Sequence, residues 1–283
     1  MKQEKFIDIE KIIREKNPRL LKWLPGFLLR YIKRIVHEKD VNDFFALYGH
    51  LRGLEFVNKV LSEFNTTIKV QGVENIPEQG GFILASNHPL GGFDGLALMQ
   101  AVAHKRKDIQ FLVNDILLSL GTMDDLFIPV NKHGSQYAIG RIEETYKSEN
   151  AVLVFPAGLV SRKQHGKVQD LEWKKSFIAK ALQYNKSIIP TYIDGKNSKF
   201  FYNLASFRKR IGVKANIEML YLADEMYKQR NKTITIIFGK PIHPSQLNKE
   251  KSHRELAQLM KEHVYALGEG KPGPFSNSGK DSQ

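Results

Sequence analysis

The sequence predicts an α/β fold in which a mixed, mostly parallel sheet is flanked by helices. Short apolar runs alternate with stretches of helical periodicity, as in strands joined by crossover helices. The chain has 283 residues, of which 42% are hydrophobic, so it can bury the core of one large domain. Several apolar runs end in corners rich in glycine and proline, where the carboxyl ends of strands usually bind ligands.

The predicted strands are short apolar runs bounded by turn residues, and the predicted helices repeat apolar residues every three or four positions. The strands cover residues 67–70, 82–85, 109–113, 126–130, 151–155, 187–193, 215–220 and 233–238. The helices that alternate with them cover residues 95–103, 136–147, 172–183 and 250–267.

Three segments follow from this pattern. Residues 1–65 form an N-terminal amphipathic helical segment, residues 66–267 form the αβ domain, and residues 268–283 form a tail whose glycine, proline and serine content predicts disorder.

The N-terminal segment is basic and amphipathic. Residues 20–36 place aromatic and aliphatic side chains at helical spacing between lysines and arginines, with a break expected at Pro25-Gly26. Residues 1–37 contain ten Lys or Arg and four Asp or Glu. This pattern is typical of a helix that lies in a membrane interface, although packing on its own domain is equally common. A second helix is predicted at 41–64.

The net charge of +13 favours acidic partners, namely nucleic acid, anionic lipid or an acidic carrier protein, unless it serves only solubility. There is no cysteine, which excludes disulfides and thiolate chemistry. No uncharged apolar run approaches the roughly 20 residues of a membrane span. Residues 1–11 contain acidic residues and no apolar stretch, so they are not expected to be a secretory signal. Peripheral membrane attachment is therefore expected.

One corner carries the clearest candidates for chemistry. The apolar run 82–85 leads into Asn87 and His88, and after a turn rich in proline and glycine Asp94 opens a helical pattern. Histidine is the side chain most readily used as a base near neutral pH, and a nearby carboxylate can orient it. Beside a helix N-terminus, the charged form of His88 should be disfavoured. The structural alternative is Asp94 as a helix cap and His88 as a loop residue.

Two further stretches combine donors with apolar residues. The loop after strand 151–155 can hold an anionic or carbonyl-rich headgroup, or it is a solvated basic loop. Its candidate residues are Pro156, Ala157, Gly158, Ser161, Arg162 and Lys163. Residues 195–214 interleave aromatic residues with Lys and Arg. They can face a membrane or nucleic acid, or form a helix with a solvated face.

Several common chemistries have no signature in the sequence. There is no metal-ligand cluster, HExxH or P-loop motif, no GxGxxG follows a predicted strand, and Ser86 does not lie in a G-x-S-x-G elbow. No resident metal or serine hydrolase is therefore expected.

Taken in order, four stretches resemble the motifs of the glycerolipid acyltransferase family, the lysophosphatidic acid and glycerol-phosphate acyltransferases. The resemblance covers about residues 65–245, and the ordered set is far more specific than any one motif. The stretches are Asn87-His88 with Asp94, Phe127-Ile128-Pro129-Val130-Asn131, Phe155-Pro156-Ala157-Gly158-Leu159-Val160-Ser161-Arg162 and Ile188-Ile189-Pro190. The resemblance favours a catalytic role of His88 over the capping alternative.

The resemblance implies that His88 is the general base for an acceptor hydroxyl and that Asp94 orients it. The hydroxyl then attacks an acyl thioester of coenzyme A or acyl carrier protein, which is a co-substrate, and no other cofactor is implied. Backbone N–H groups at the corner or at Gly158 are expected to hold the oxyanion. The positions expected to bind substrate are Asn87, Gly91, Gly92, Asn131, Lys132, Pro156, Ala157, Gly158, Ser161, Arg162 and Lys163.

Two departures from the family pattern bear on the acceptor. Ala157 stands where the family has glutamate, and Asn131 stands where it has arginine. Those two residues help the family to hold a phosphate-bearing acceptor, so their replacement disfavours lysophosphatidate unless Arg162 or Lys132 substitutes. The pattern resembles a haemolysin-like branch that includes enzymes O-acylating lyso-ornithine and lyso-glycine lipids.

A third departure concerns geometry. The interval between His88 and Asp94 is one residue longer than usual in the family. We therefore predict a bulged or tight turn at Gly91-Gly92 that brings the Asp94 carboxylate within hydrogen-bond reach of the His88 ring.

The sequence thus predicts an O-acyltransferase of membrane lipid synthesis, peripheral at the cytoplasmic face of the inner (plasma) membrane. The expected partners are a lyso-aminolipid acceptor, an acyl carrier protein or coenzyme A thioester, and an anionic membrane surface, but not nucleic acid. Lysophosphatidate acylation is the alternative of the same class. A non-catalytic basic protein that binds lipid or nucleic acid is the alternative of another class.

Overall fold

The computed structural model describes residues 5–114, 121–130, 136–164, 166–271 and 273–277. Its strands are β1 (Thr67–Gln71), β2 (Phe82–Ser86), β3 (Ile109–Val113), β4 (Phe127–Pro129), β5 (Ala151–Val154), β6 (Arg162–Gln164), β7 (Lys167–Gln169), β8 (Ser187–Asp194) and β9 (Thr233–Phe238). Among the described residues, seven of them form one sheet in the order β1-β9-β8-β2-β5-β3-β4. Neighbouring strands are parallel except β8 and β9. The predicted mixed, mostly parallel sheet is confirmed.

The helices cover both faces of this sheet. They are α1 (Ile9–Lys16), α2 (Pro18–Trp23), α3 (Gly26–Ile35), α4 (Glu38–Tyr48), α5 (Gly53–Glu63), α6 (Gly92–Ala103), α7 (Gln136–Lys147), α8 (Ser176–Tyr184), α9 (Lys199–Arg210), α10 (Leu222–Tyr227) and α11 (His253–Gly268). Short 3-10 helices lie at Val73–Asn75, Ile217–Tyr221 and Pro244–Gln246. Among the described residues, none of these helices is long and apolar enough to cross a membrane.

The central strand β2 explains why the sheet has two hydrophobic cores. Phe82 and Leu84 belong to the cluster on one face, and Ile83 and Ala85 belong to the cluster on the other. Successive side chains of a strand point to opposite faces, so a strand covered on both faces is apolar throughout. The corner that follows β2 is therefore attached to a strand whose residues are all buried.

The N-terminal segment does not lie apart from this core. The break predicted at Pro25-Gly26 is confirmed, because α2 ends at Trp23 and α3 begins at Gly26. Helix α5 buries Phe56 and Leu61 in the same cluster as Leu84. The segment boundary at residue 65 stays a prediction, although the core extends across it.

Two predicted elements are wrong. The helix predicted at 41–64 is two helices, because Gly53 begins α5 with a φ of 53° and donates its N–H to the Thr122 carbonyl oxygen at 2.8 Å. A Cβ at Gly53 would lie 2.4 Å from the Asp125 carboxylate. The strand predicted at 215–220 is instead the 3-10 helix Ile217–Tyr221, which turns the Glu218 side chain into the interior.

Other elements differ in extent. Helix α8 begins at Ser176 rather than at 172, because Trp173 is buried and its indole N–H donates to Asp170 at 2.9 Å. In the tail predicted to be disordered, Phe275 packs against the second cluster and Asn277 donates to the Gln246 carbonyl oxygen at 2.8 Å. Residues 272 and 278–283 lie outside the described residues.

Candidate active site

The candidate site lies at the carboxyl end of β2, between its neighbours β5 and β8. The chain leaves the sheet after Ser86 and enters α6 at Gly92. In this corner, Nδ1 of His88 lies 3.1 Å from both carboxylate oxygens of Asp94, and the Asp94 side chain is fully buried. The predicted contact between the His88 ring and the Asp94 carboxylate is confirmed. The catalytic role of the pair stays a prediction.

The turn that joins the two residues depends on Gly91. Its φ of 81° and ψ of −134° are a conformation that residues with a side chain rarely adopt. A Cβ there would also lie 3.3 Å from Leu222. Gly92, in contrast, already belongs to α6 and is exposed, and a Cβ on it would meet no heavy atom within 4 Å. Gly91 therefore accommodates the extra residue, and the space beside Gly92 is open.

Two side-chain bridges fix the corner to the sheet and the helix. The Asn87 amide donates to the Ile193 carbonyl oxygen at 2.9 Å and accepts from the Ile193 N–H at 2.7 Å. It thereby continues the pairing of β2 with β8 beyond the last strand residue. Asp94 accepts the Leu90 N–H at 2.7 Å in addition to the His88 ring. Asn87 thus has a structural role, and Asp94 orders both the base and the loop that carries it.

The orientation of His88 leaves one ring nitrogen for chemistry. A carboxylate can only accept, so the Asp94 contact assigns the ring proton to Nδ1 and leaves a lone pair on Nε2. Among the described residues, Nε2 has no hydrogen-bond partner. Phe155 stacks on the ring with centroids 4.1 Å apart and an interplanar angle of 18°, and the His88 side chain is 15% exposed. The ring is therefore held by Asp94 and Phe155, with Nε2 unengaged.

The surroundings of His88 act on its pKa in opposite directions. Burial is the largest single influence and lowers the pKa. The charge of Asp94, its hydrogen bond and the charge of Asp170 outweigh burial, so the pKa of His88 is raised above its ordinary value of 6.5. The expectation that a helix N-terminus would favour neutral His88 is wrong, because the buried Asp94 carboxylate is the closer partner.

Asp170 is a central residue of the site that the sequence analysis missed. Its Oδ1 accepts the backbone N–H of His88 at 3.2 Å and the hydroxyl of Ser161 at 2.6 Å. Its Oδ2 accepts the indole N–H of Trp173 at 2.9 Å. These hydrogen bonds lower the pKa of Asp170, but burial is the larger influence and raises it above its ordinary value. A lone aspartate after a short polar strand carries no periodic or spacing signal, so only the tertiary contacts reveal it.

The loop after β5 is joined to the site mainly by its backbone rather than by its charged side chains. Ser161 donates its N–H to the His88 carbonyl oxygen at 2.8 Å, which joins this loop to the corner. Pro156 is buried, and Ala157 is buried in the second hydrophobic cluster. Gly158 has a φ of 64° and donates its N–H to the Phe155 carbonyl oxygen at 2.9 Å. The expectation that the Gly158 N–H holds an oxyanion is therefore wrong, because that donor is already engaged.

The cations predicted in this loop have different surroundings. Arg162 is buried and donates to Glu218 at 3.2 Å, and Arg208 of α9 donates to the same carboxylate at 2.8 Å. Lys163 is exposed. Asn131 and Lys132 lie outside the described residues. Arg162, one of the cations predicted to bind a headgroup, is therefore engaged within the protein, where it joins β6 to α9 and the 3-10 helix. Lys163, the other, remains accessible.

A buried aspartate that orients a histidine with one unengaged nitrogen defines a site able to deprotonate a hydroxyl group. Residues 11–271 match the family model described as Acyltransferase. The chain therefore belongs to the acyltransferase family, and the enzyme class predicted from the sequence is confirmed.

Two curated relatives are similar to this chain over most of their length. The lyso-glycine lipid O-acyltransferase of Bacteroides thetaiotaomicron is 42% identical over 265 residues, which cover 93% of this chain and 97% of the relative. The lyso-glycine lipid O-acyltransferase of Phocaeicola vulgatus is also 42% identical over 265 residues, covering 93% and 95%.

A solved structure is also similar in part. The crystal structure of the 1-acyl-sn-glycerophosphate (LPA) acyltransferase PlsC from Thermotoga maritima covers 92% of this chain and 98% of its own. The identity is 19% and the TM-score is 0.43, which is too low to support an inference.

Proposed function

We propose that this acyltransferase moves a fatty acyl group from an acyl thioester to the hydroxyl of a lyso-aminolipid, a lyso-glycine or lyso-ornithine lipid. The choice of acceptor rests on the 42% identity, over 93% of the chain, with two relatives named lyso-glycine lipid O-acyltransferase. The burial of Ala157 supports it, because a position inside an apolar cluster has no place for a charged phosphate-binding side chain.

In the proposed reaction, Nε2 of His88 takes the proton of the acceptor hydroxyl while its oxygen bonds to the thioester carbonyl carbon. The tetrahedral intermediate then collapses and the C–S bond breaks. The proton on His88 passes to the leaving thiolate, so an ester and a free thiol are formed. General base catalysis of this kind contributes about 10² to 10⁴ in rate.

The oxyanion of the intermediate is assigned to the N-terminus of α6. The first N–H groups of a helix have no partner within it. The N-cap residue Gly91 provides no side-chain cap, and the Leu90 N–H is engaged by Asp94. The N–H group of Gly92 is therefore the donor we propose, because Gly92 is exposed and the open space beside it leaves room for the thioester carbonyl.

The proposed donor is the thioester of acyl carrier protein or coenzyme A, and the proposed location is the surface of an anionic membrane. The net charge of +13 supports both, because carrier proteins, coenzyme A and such membranes are all negatively charged. In helices α2 and α3, the side chains of Trp23 and Phe27 are 86% and 68% exposed. Exposed aromatic residues between basic ones are typical of helices that lie in a membrane interface.

A direct assay tests the acceptor. The purified full chain is mixed with acyl carrier protein or coenzyme A thioesters and, in separate detergent assays, with lyso-glycine lipid, lyso-ornithine lipid or lysophosphatidate. We expect mass spectrometry to find O-acylated aminolipid as the main product. A strong preference for lysophosphatidate would contradict the proposed acceptor.

The control for this assay is His88→Ala. We expect acyl transfer to be lost while the melting temperature and the circular dichroism spectrum stay those of a folded protein. Full activity of His88→Ala with a thioester donor would show that the mechanism is wrong.

A further inference from the structure

The segment that follows β8 exposes apolar side chains that the proposed reaction does not use. The Phe207 and Ile211 side chains at the end of α9 are 59% and 55% exposed, and Leu220 in the 3-10 helix Ile217–Tyr221 is 50% exposed. We call residues 199–220 the α9 surface. Its exposed large hydrophobic residues are Phe200, Phe207, Ile211, Val213, Ile217 and Leu220. Monomeric soluble proteins rarely leave such a set uncovered without a partner.

The charge of the α9 surface is one-sided. Residues 199–220 contain five Lys or Arg, and their one acidic residue, Glu218, is buried. Arg208 is buried against Glu218, but Lys209, Arg210 and Lys214 are exposed beside the apolar residues. A surface that is both apolar and positively charged complements an anionic lipid interface, into which the apolar side chains can insert.

The α9 surface is continuous with the exposed face of α3. The hydroxyl groups of Tyr31 in α3 and Tyr221 are 2.9 Å apart. The Tyr221 ring contacts the Phe200 ring edge-on, with centroids 5.0 Å apart. Two segments separated by more than 160 residues in the sequence are thus in contact, and each carries an exposed aromatic side chain, Phe27 in α3 and Phe207 in α9.

This surface also adjoins the catalytic corner. Leu222, next to Tyr221, limits the space around Gly91, and the Asn197 amide donates to the Pro89 carbonyl oxygen at 3.2 Å. Phe201 in α9 packs with Val160 of the loop after β5, and Tyr221 and Leu222 pack against the same cluster. A bilayer in contact with the α9 surface would therefore lie against a segment that packs on the catalytic corner.

We infer that the α9 surface is a second membrane-docking element, and that it seats the catalytic corner on an anionic bilayer together with α2 and α3. The inference rests on the proposed function, since a lysolipid acceptor has to pass from the bilayer to His88. A lipid partner is favoured over nucleic acid because aliphatic residues such as Ile211 and Leu220 gain from insertion into acyl chains, whereas bases stack on aromatic rings.

Sedimentation with vesicles tests the inference without any acyl transfer. Vesicles of phosphatidylcholine alone and of phosphatidylcholine with phosphatidylglycerol are mixed with the full chain and two double variants. One variant is Phe207→Ser with Ile211→Ser, and the other is Lys209→Glu with Arg210→Glu. We expect each variant to lower the partition coefficient for the anionic vesicles about tenfold or more.

The matched control changes the same residue types elsewhere on the surface. Ile139→Ser with Lys249→Glu replaces an isoleucine that is 52% exposed on α7 and an exposed lysine before α11. We expect the control to bind vesicles like the unchanged chain. The charge variant keeps the test decisive if the serine variant loses its fold, because Lys209 and Arg210 are exposed and their replacement leaves the core intact.

The possible outcomes separate this inference from the proposed function. Unchanged vesicle binding by a folded charge variant would overturn the inference, since α2 and α3 would then suffice. Salt-sensitive binding of the unchanged chain to single-stranded DNA, with none to anionic vesicles, would also overturn it in favour of nucleic acid. Acyl transfer by the unchanged chain is measured separately in detergent, so a failure of the proposed reaction is visible on its own.

Discussion

At the scale of single residues, Asp94 and Asp170 together set the behaviour of His88. Asp94 is the larger contributor, because it adds both a charge and a hydrogen bond at 3.1 Å. Asp170 acts from the other side, through the backbone N–H of His88 at 3.2 Å and through its charge. These contacts stabilise the protonated ring, whereas a general base must start neutral.

The raised pKa of His88 predicts the pH dependence of the reaction. At pH 6.5 most His88 rings carry a second proton and cannot act as a base, so kcat/KM should rise with pH through a midpoint above 6.5. Replacing Asp94 removes the two largest raising influences and leaves burial, which lowers the pKa of His88 by more than the charge of Asp170 raises it. In Asp94→Asn the midpoint should therefore move below 6.5, together with a loss of rate from misorientation.

Rates with a short-chain thioester and acceptor in detergent, measured from about pH 5.5 to about pH 9, check this prediction. A midpoint below 6.5 in the unchanged enzyme, or the same midpoint in Asp94→Asn, would contradict it.

Asp170 is expected to be a positioning residue for His88. In Asp170→Asn the amide can replace only part of the network, so one buried donor is left unpaired at a cost of roughly 1–3 kcal/mol. The charge of Asp170 is also lost, and the pH midpoint should move downward, by less than in Asp94→Asn. Urea denaturation and the pH profile of kcat/KM measure the two effects.

The matched control for Asp170→Asn is Asp124→Asn, because Asp124 is exposed. This control should change neither quantity. A loss of stability in Asp170→Asn without any shift of the pH midpoint would mean that Asp170 is only structural.

At the scale of elements, the buried carboxylate of Glu218 holds together three elements next to the site. Glu218 is fully buried and accepts from Arg162 at 3.2 Å and from Arg208 at 2.8 Å. It therefore joins β6, α9 and the 3-10 helix Ile217–Tyr221. This contact also explains why residues 215–220 do not form the predicted strand. Glu218 interrupts the short apolar run, and its side chain is buried where it can accept from both arginines.

Replacing Glu218 should destabilise the whole molecule. In Glu218→Gln two buried guanidinium groups lose their counter-charge, and breaking a buried pair in this way costs roughly 3–5 kcal/mol. Urea denaturation measures the loss, with the exposed Glu250→Gln as the control. A change in the free energy of unfolding no larger than that of the control would show that the arginines do not depend on Glu218.

Elements with a strong local pattern were predictable, and the exceptions have identifiable causes. Helix α7 covers residues 136–147 as predicted, and β5 lies within its predicted range, because periodicity and apolar runs are local signals. The division between α4 and α5 was missed, because it depends on the contact of Gly53 with Thr122, which is far away in the sequence. Helix α9 confirms the helical alternative that was open for residues 195–214.

At the scale of the whole molecule, the net charge of +13 is the dominant long-range property. Charge of one sign steers oppositely charged partners and is screened by salt. If acyl carrier protein is the donor, kcat/KM for the acyl-carrier thioester should fall about tenfold or more between low and high salt. A neutral short-chain thioester should show little change.

Stopped assays with both donors over a series of salt concentrations test this dependence. Equal salt dependence for the acidic and the neutral donor would contradict electrostatic steering of the carrier protein.

The sequence by itself determined the sheet class, the pairing of His88 with Asp94 and the enzyme class, because strand patterns are local and the four motifs keep their order along the chain. Only the tertiary structure decided the raised pKa of His88, the role of Asp170 and the burial of Arg162. These depend on burial and on contacts between residues as far apart as Arg162 and Glu218, which no local pattern records. The continuity of α3 with the α9 surface has the same origin, since it is created by the contact of Tyr31 with Tyr221.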